Sequence, residues 1–522
     1  MHNFLQLEIR VFFHFLFTIL ILTNHSFAQN FNFSEDYLKS NLEFLADDLL
    51  EGREAASRGE QLASLFIASE LKKYDVKPFG DNGTYFQNFK LNTIGFSKAS
   101  TVDLFVDNKK TITDFLGENF IIPNRSKIDT AKLNKSYKMV FAGYGLVIPE
   151  YNINDYETID VKDKVIVILS GENLRKNPRF EGVDFPKGFE SRNQKIQNAL
   201  ENGAAGIVMI ASERIEKYWD YYSSNADAAS YRLPDSTSER KNSIPEIIIT
   251  EKLAIELFDN EKLNLTQIMK LISENKDFTK FELSKNIKFN FVLKDSTVIA
   301  RNVVGIVEGN SPELKHEIVS LGAHYDHIGT RNGEVYNGAD DNASGTVTML
   351  EVIRAIAEKR GNNRSIMVVF HSAEEKGLLG AKYFTENFEN ISDVVVNINI
   401  DMVGRESSDS LHCIGSDKLS TELDKIVRHA NQQSSEFILD YSFNDPNDPQ
   451  RLYYRSDHVH YARKNIPIVF FYDNMQEDYH RSSDDAHEIN FEKILKVCSL
   501  VYQIASDVAN FEHRLIVDKK YE

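Results

Sequence analysis

The stretch Ile318-Val319-Ser320-Leu321-Gly322-Ala323-His324-Tyr325-Asp326-His327 decides how the chain folds. Residues 318–323 are mostly apolar and of strand length, and they end abruptly in side chains that bind protons or metals. The same succession recurs downstream. Residues 366–370 lead to Glu374-Glu375, Val394–Ile400 leads to Asp401, and residues 466–471 lead to a loop holding His480. Helical periods lie between these runs: 343–359 sets Val347, Leu350, Ile353 and Ala357 on one face, and 377–387 is shorter. Strands alternating with helices predict an α/β fold, a mixed sheet flanked by helices.

Working outward, residues 490–510 read as a last helix with Ile494, Val497, Val501, Ile504 and Val508 on a packing stripe. Upstream, 287–293 and 302–308 read as strands on either side of a turn-like Lys294-Asp295-Ser296. From about 138 to 258 short apolar strands such as Val165–Leu169 and Gly206–Ile210 are separated by polar loops, the mark of a distinct β-rich module. Residues 33 to about 91 read as helices, with Leu42, Leu45, Leu49, Leu62, Phe66, Ile67 and Leu71 at helical spacing.

At the start, Arg10 precedes the apolar run 11–22, and Ser26-Phe27-Ala28 precedes Gln29, which is a signal-peptide pattern with cleavage near Ala28. The run falls short of the roughly 20 residues a bilayer span needs. No cysteine follows to carry a lipid. The chain is therefore expected to be exported, to the periplasm or beyond if its source is bacterial, with no stable membrane span after cleavage. The expected division is 1–28 signal peptide, 29–130 N-terminal part of a catalytic domain, 131–285 an inserted module and 286–522 the main catalytic part; 522 residues suit such a plan.

The net charge of −18 would repel a phosphate backbone and argues against nucleic-acid binding. Cys413 and Cys498 are the only cysteines, so neither a disulfide framework nor a Cys-ligated zinc site is available. Any metal must sit on His and carboxylates. In open α/β sheets sites form outside the carboxyl ends of strands. One carboxylate there commonly caps the next helix, but here four strand ends each deliver a ligand type. The loop Asn337-Gly338-Ala339-Asp340-Asp341-Asn342-Ala343-Ser344-Gly345 adds a fifth; taken alone it reads equally as a helix N-cap with a Gly-rich turn.

Together Gly322-Ala323-His324-Tyr325-Asp326, the 337–345 loop, Ala373-Glu374-Glu375-Lys376-Gly377-Leu378-Leu379-Gly380, Asn399-Ile400-Asp401-Met402 and His480 resemble the M28 family of zinc-dependent peptidases, in order and spacing across residues 302–511. Glu51-Gly52-Arg53-Glu54 resembles that family's opening region, and residues 138–258 its inserted protease-associated domain. The resemblance implies a zinc-dependent exopeptidase fold and two zinc ions per chain bridged by one carboxylate, which maps onto Asp340. His324 and Asp401 would complete one metal site, Glu375 and His480 the other. Imidazole and carboxylate ligands suit zinc, and a two-metal site needs an acidic bridge. Manganese and cobalt stay open on ligand chemistry.

Glu374 matches the family's general base, and a bent backbone after the strand would let it and Glu375 face different tasks. Tyr453, three residues before Ser456-Asp457-His458, matches a position where the family can carry an oxyanion donor; Tyr454 beside it, or a plain core role, are the alternatives. Asp326 resembles the carboxylate that orients the metal-bound imidazole, and Asp484 is a candidate for a similar task or for a helix N-terminal carboxylate. His327, His371, His458, His460 and His487 are read as structural, and Asp341 as shaping the turn.

The implied function is hydrolysis of peptides, led by the aminopeptidase reading. A glutamate-carboxypeptidase-like enzyme is the alternative and would need a basic pocket, for which Arg405, Arg451 and Arg455 are candidates. A one-zinc glutaminyl cyclase and a non-catalytic receptor-like relative rank below. The inserted module is expected to shape or lid the cleft or to contribute oligomer contacts, and the oligomeric state stays open.

Overall fold

The computed structural model describes residues 31–123, 128–171, 182–183, 185, 188–234 and 244–521. The segment read as a signal peptide lies outside them. Among the described residues no helix is long and apolar enough to cross a membrane.

Two sheets organise the chain. The larger has ten strands, in the order Ser230–Arg232, Phe86–Phe96, Leu293–Val307, Ser365–His371, Ile318–His324, Val394–Ile400, Ile468–Tyr472, Ser410–Ile414 and Ile438–Asp440, with Lys77–Pro78 beside Leu293–Val307. The four strands from Ser365–His371 to Ile468–Tyr472 are parallel, and antiparallel neighbours flank them. Parallel pairs need crossovers, and the helices Gly345–Lys359 and Leu379–Asn387 lie within two of them. Gly322 pairs with Val369 on one side and Asn399 on the other, so the central strands finish on a common rim.

Burial on both faces explains why residues 318–323 show no polar alternation. Leu321, Ala323, Val368, Phe370, Ile398 and Ile400 pack into one core with Leu42, Ile67, Leu350, Ile353, Ile494 and Val501 from helices. Met367, Val369, Ile468 and Phe470 pack on the opposite face with Phe384 and Tyr461.

Two expectations change. Residues 33–91 are not helical throughout: helices Glu35–Leu45 and Arg58–Lys73 are followed by the strand Phe86–Phe96, in which Phe89, Leu91 and Thr93 are buried at every second position. Lys294-Asp295-Ser296 makes no turn. It lies inside Leu293–Val307 and pairs with Gly95, Ile94 and Thr93, its polar side chains facing solvent.

The second sheet has eight strands, drawn from Thr101–Val106 through Phe281–Asn290, with Val165–Leu169, Gly206–Ile210 and Glu246–Ile249 parallel at its centre. It has its own apolar core. Its strands span a longer stretch than the 131–285 expected, because strands Thr101–Val106, Lys109–Phe115 and Phe120–Ile121 also join it. Ser230–Arg232 leaves this region and pairs with Phe86–Phe96 in the larger sheet.

Candidate metal centre

The rim gathers the ligand-type side chains because each follows a parallel strand or a loop that returns to it. His324 is the last residue of its strand, and its Nδ1 lies 3.1 Å from the Asp326 carbonyl. A carbonyl only accepts, so Nδ1 carries a proton and Nε2 is the nitrogen that faces the cleft. Nε2 lies 3.2 Å from Asp401 Oδ1 and 3.4 Å from Asp341 Oδ1. Asp401 is fixed from behind, its Oδ2 accepting from Ser456 Oγ at 2.7 Å.

A second group faces the first. His480 Nε2 lies 3.2 Å from Glu375 Oε2 and 3.2 Å from Asp341 Oδ2, while His327 Nδ1 lies 2.9 Å from Glu375 Oε1 and 3.8 Å from Asp341 Oδ2. One ligand atom from each of His324, Asp341 and Asp401 lie within 4.8 Å of one another, and so do atoms from His327, Asp341 and Glu375. Asp341 is common to both sets and presents a different oxygen to each.

The structure therefore corrects the placement of Asp340: it is Asp341 that stands between the two ligand-type groups. Neighbouring side chains on a non-helical backbone point to opposite sides, and Asp341 has φ −106° and ψ 87°. Asp340 turns away, its Oδ1 accepting the Gly404 N–H at 2.7 Å, and it belongs to neither ligand group. Residue type does not distinguish the two aspartates; the direction of the loop does. Gly338, with φ +58°, permits that direction, since a Cβ there would stand 2.2 Å from the Asp341 carbonyl and 2.4 Å from the His327 ring.

Glu374 and Glu375 part at a bend. Ala373 adopts φ +58°, rare for a residue with a Cβ, two residues after the end of the strand Ser365–His371. Glu375 meets His327 and His480, whereas Glu374 is fixed by its backbone N–H donating to Asp326 Oδ1 at 3.1 Å. Burial pushes the Glu374 carboxyl well up, helped by Asp401, Glu375 and Asp457 and opposed by His324. For Glu375 burial pulls upward, but the imidazoles of His327 and His480 beside it outweigh burial and hold the carboxyl well below its usual range. Burial alone would lower His324, yet the charges of Asp401, Glu374 and Asp341 raise it well above an ordinary imidazole.

Asp326 lies beside His324, but its carbonyl, not the carboxylate expected to orient the ring, is the nearer partner: Oδ1 stands 3.9 Å from Nδ1. Asp484 accepts the backbone N–H groups of Asp340 and Asp341 and meets Arg405 at 2.7 Å. Tyr453 does not reach the ligands. Its ring packs beside Tyr454, His458 and Tyr521, and the groups that raise its hydroxyl pKa after burial are Tyr521, Tyr454 and Asp417. The tyrosine at the centre is Tyr479, stacked on the His480 ring at 3.8 Å; burial and then Asp341, Glu375 and Glu374 push its hydroxyl up. Its place next to His480 in the sequence was the available signal. Asp457 is also drawn in, fully buried, with neither carboxyl oxygen hydrogen-bonded among the described residues.

The donors fit a pair of divalent cations. Buried carboxylates outnumber buried cations here, which is costly without counter-charge. His327 Nδ1 and Glu375 Oε1 stand close without the alignment of a hydrogen bond. His480 is the most open member of the two groups, its side chain 36% exposed, so the cleft is entered from its side.

Residues 302–505 match the sequence model of peptidase family M28. A probable leucine aminopeptidase from Trichophyton verrucosum is 29% identical over 239 residues, 40% of this chain and 64% of that protein. Leucine aminopeptidase 1 of Sclerotinia sclerotiorum is 28% identical over 211 residues, covering 37% and 54%. The chain thus spans less than two-thirds of the length of these curated relatives. Among solved structures, an aminopeptidase from Aneurinibacillus sp. strain AM-1 aligns over 94% of this chain and 98% of its own with a TM-score of 0.55 and 16% identity. A zinc aminopeptidase from Bacillus subtilis aligns over the same shares at 0.50 and 20%. At these identities the two structures show the fold.

Proposed function

We propose, from the match of residues 302–505 to the sequence model of peptidase family M28, that the chain is an exported metallo-aminopeptidase with two zinc ions per chain. The observation that carries the proposal is Asp341, whose two carboxylate oxygens face two separate groups of ligands. His324, Asp341 and Asp401 would hold one ion, and Asp341, Glu375 and His480 the other, with His327 steadying Glu375 from behind. When bound, the pair would supply Lewis-acid polarisation of the scissile carbonyl and acidify the attacking water.

The chain's own residues do the rest. Glu374, raised by burial and pinned through its N–H to Asp326, takes a proton from the attacking water and returns it to the leaving amine. Tyr479 replaces Tyr453 as the proposed hydroxyl donor to the developing oxyanion. A substrate's α-ammonium would find uncompensated carboxylates in this cleft, which favours release of N-terminal residues. Of the cations a carboxypeptidase pocket would need, Arg405 is already paired with Asp478 and Asp484, and Arg451 lies over the Tyr454 ring. A one-zinc cyclase would leave the Glu375 group without a task.

The eight-stranded region is proposed to be a protease-associated module that shapes the cleft. Its excursion Ser230–Arg232 brings the Tyr231 ring to 5.2 Å from the Lys376 ammonium, next in the chain to Glu375. Export rests on the run 11–22 and Ser26-Phe27-Ala28.

The test is hydrolysis of peptides with a free or acetylated N-terminus in added zinc. Cleavage should require the free amine, and Glu374→Gln should lower kcat by about 10²–10⁴-fold with metal content kept. Equal cleavage of acetylated peptides would refute the aminopeptidase reading, and full activity of Glu374→Gln the base.

A further inference from the structure

Outside the matched family segment, the turn Glu51-Gly52-Arg53 runs beneath the centre with three successive positive φ values, 51°, 68° and 49°. Such a run persists only where its surroundings over-determine it. Gly52 lies so close to the 329–336 hairpin that a Cβ would stand 2.4 Å from the Tyr336 carbonyl. The turn delivers Arg53, 1% exposed, into the interior.

Its guanidinium donates to carbonyls alone. Nε meets Tyr325 O at 2.8 Å, Nη1 meets Asn337 O at 2.6 Å and also Leu45 O, and Nη2 meets Gly338 O at 2.9 Å. Tyr325 stands between His324 and Asp326, and Asn337-Gly338 open the loop that carries Asp341. The Arg53 carbonyl in turn accepts the His327 N–H at 3.3 Å. Among the described residues Arg53 makes no ion pair, so its charge is not consumed by any one carboxylate. Burial lowers its pKa to about 10, against the pull of Asp484, Asp326, Asp341 and Glu375, and it stays charged at neutral pH.

We propose that Arg53 is a positioning residue of the metal centre: it fixes the two turns that aim His324 and Asp341 at each other and sets a permanent positive charge under the carboxylate cluster. The fork of five donors is what the task requires. A lysine would keep the charge but could not span carbonyls from three segments in one plane. The proposal rests on the two-metal reading above.

The experiment loads wild type, Arg53→Lys and Arg364→Lys with cobalt(II), reading stoichiometry and visible absorption, and measures affinity by competition with a chelator. Arg364 is the control. It is equally buried, donates to Glu317, Val508 and Phe511, and stands at the opposite end of the strand Ser365–His371. Arg53→Lys should bind at least one cobalt about 10–100-fold more weakly, with an altered spectrum, while Arg364→Lys keeps the wild-type values. Wild-type spectrum and affinity in Arg53→Lys would overturn the proposal, as would an equal loss in Arg364→Lys. Failure of Arg53→Lys to fold in saturating metal would also overturn it, because the residue would then act on the whole fold. A wild type that takes up no cobalt would instead sink the centre itself, and this inference with it.

Discussion

Asp484 Oδ2 accepts the backbone N–H of Asp341 at 3.1 Å, joining the loop after His480 to the loop before the helix Gly345–Lys359 across 143 residues of chain. The same carboxylate accepts the Asp340 N–H and meets Arg405. Backbone direction at Asp341 is thus set by a side chain outside both ligand-type groups.

Asp484→Asn keeps one acceptor oxygen and loses the ion pair with Arg405. Zinc affinity should fall about 10–100-fold, the range for outer partners of metal ligands. Competition with a chelator reads it. The thermal midpoint should fall less than for loss of a core residue such as Leu321→Ala, which is expected to cost about 2–5 kcal/mol.

The two tyrosines separate on kinetics. Tyr479→Phe should lower kcat by about 10²–10³-fold with a small change in KM, as loss of a donor used in the transition state does. Tyr453→Phe should change kcat less than about two-fold, since the residue contacts no group that handles charge in the reaction.

A pH dependence of stability follows from His458. Its ring stacks on Phe470 at 4.5 Å, and Nε2 donates to the Tyr453 carbonyl at 2.9 Å. Nδ1 is buried and has no partner among the described residues. Burial pulls its pKa down to about 4, so the unfolded chain binds the proton more readily than the folded one. The stabilisation is whole above about pH 6.5 and shrinks as pH falls towards 4, by on the order of 3 kcal/mol in all. Urea unfolding of wild type and His458→Gln between pH 4 and 7 should show the gap between them narrowing on the acid side. A constant gap would contradict the assignment.

The central strands were legible because doubly buried parallel strands are continuous apolar runs and end where the ligands begin, as Val394–Ile400 and Asp401 illustrate. Phe86–Phe96 was hidden by its alternating Asn, Lys and Thr beside helices of strong period. Lys294-Asp295-Ser296 carries turn-type residues that serve here as the solvent face of a long ribbon. Within the centre, ligand types could be read but not directions. Asp340 and Asp341 are identical in chemistry, and only the turn after Gly338 decides between them. His327 and Tyr479 owe their places to neighbours, Glu375 and His480, that lie far from each other in sequence.

The most direct test is zinc content per chain, by atomic absorption after dialysis against sub-micromolar zinc, for wild type, Asp340→Asn and Asp341→Asn. Two zinc ions should be found in wild type and in Asp340→Asn, and fewer in Asp341→Asn. Two ions retained in Asp341→Asn, with loss in Asp340→Asn, would contradict the bridge.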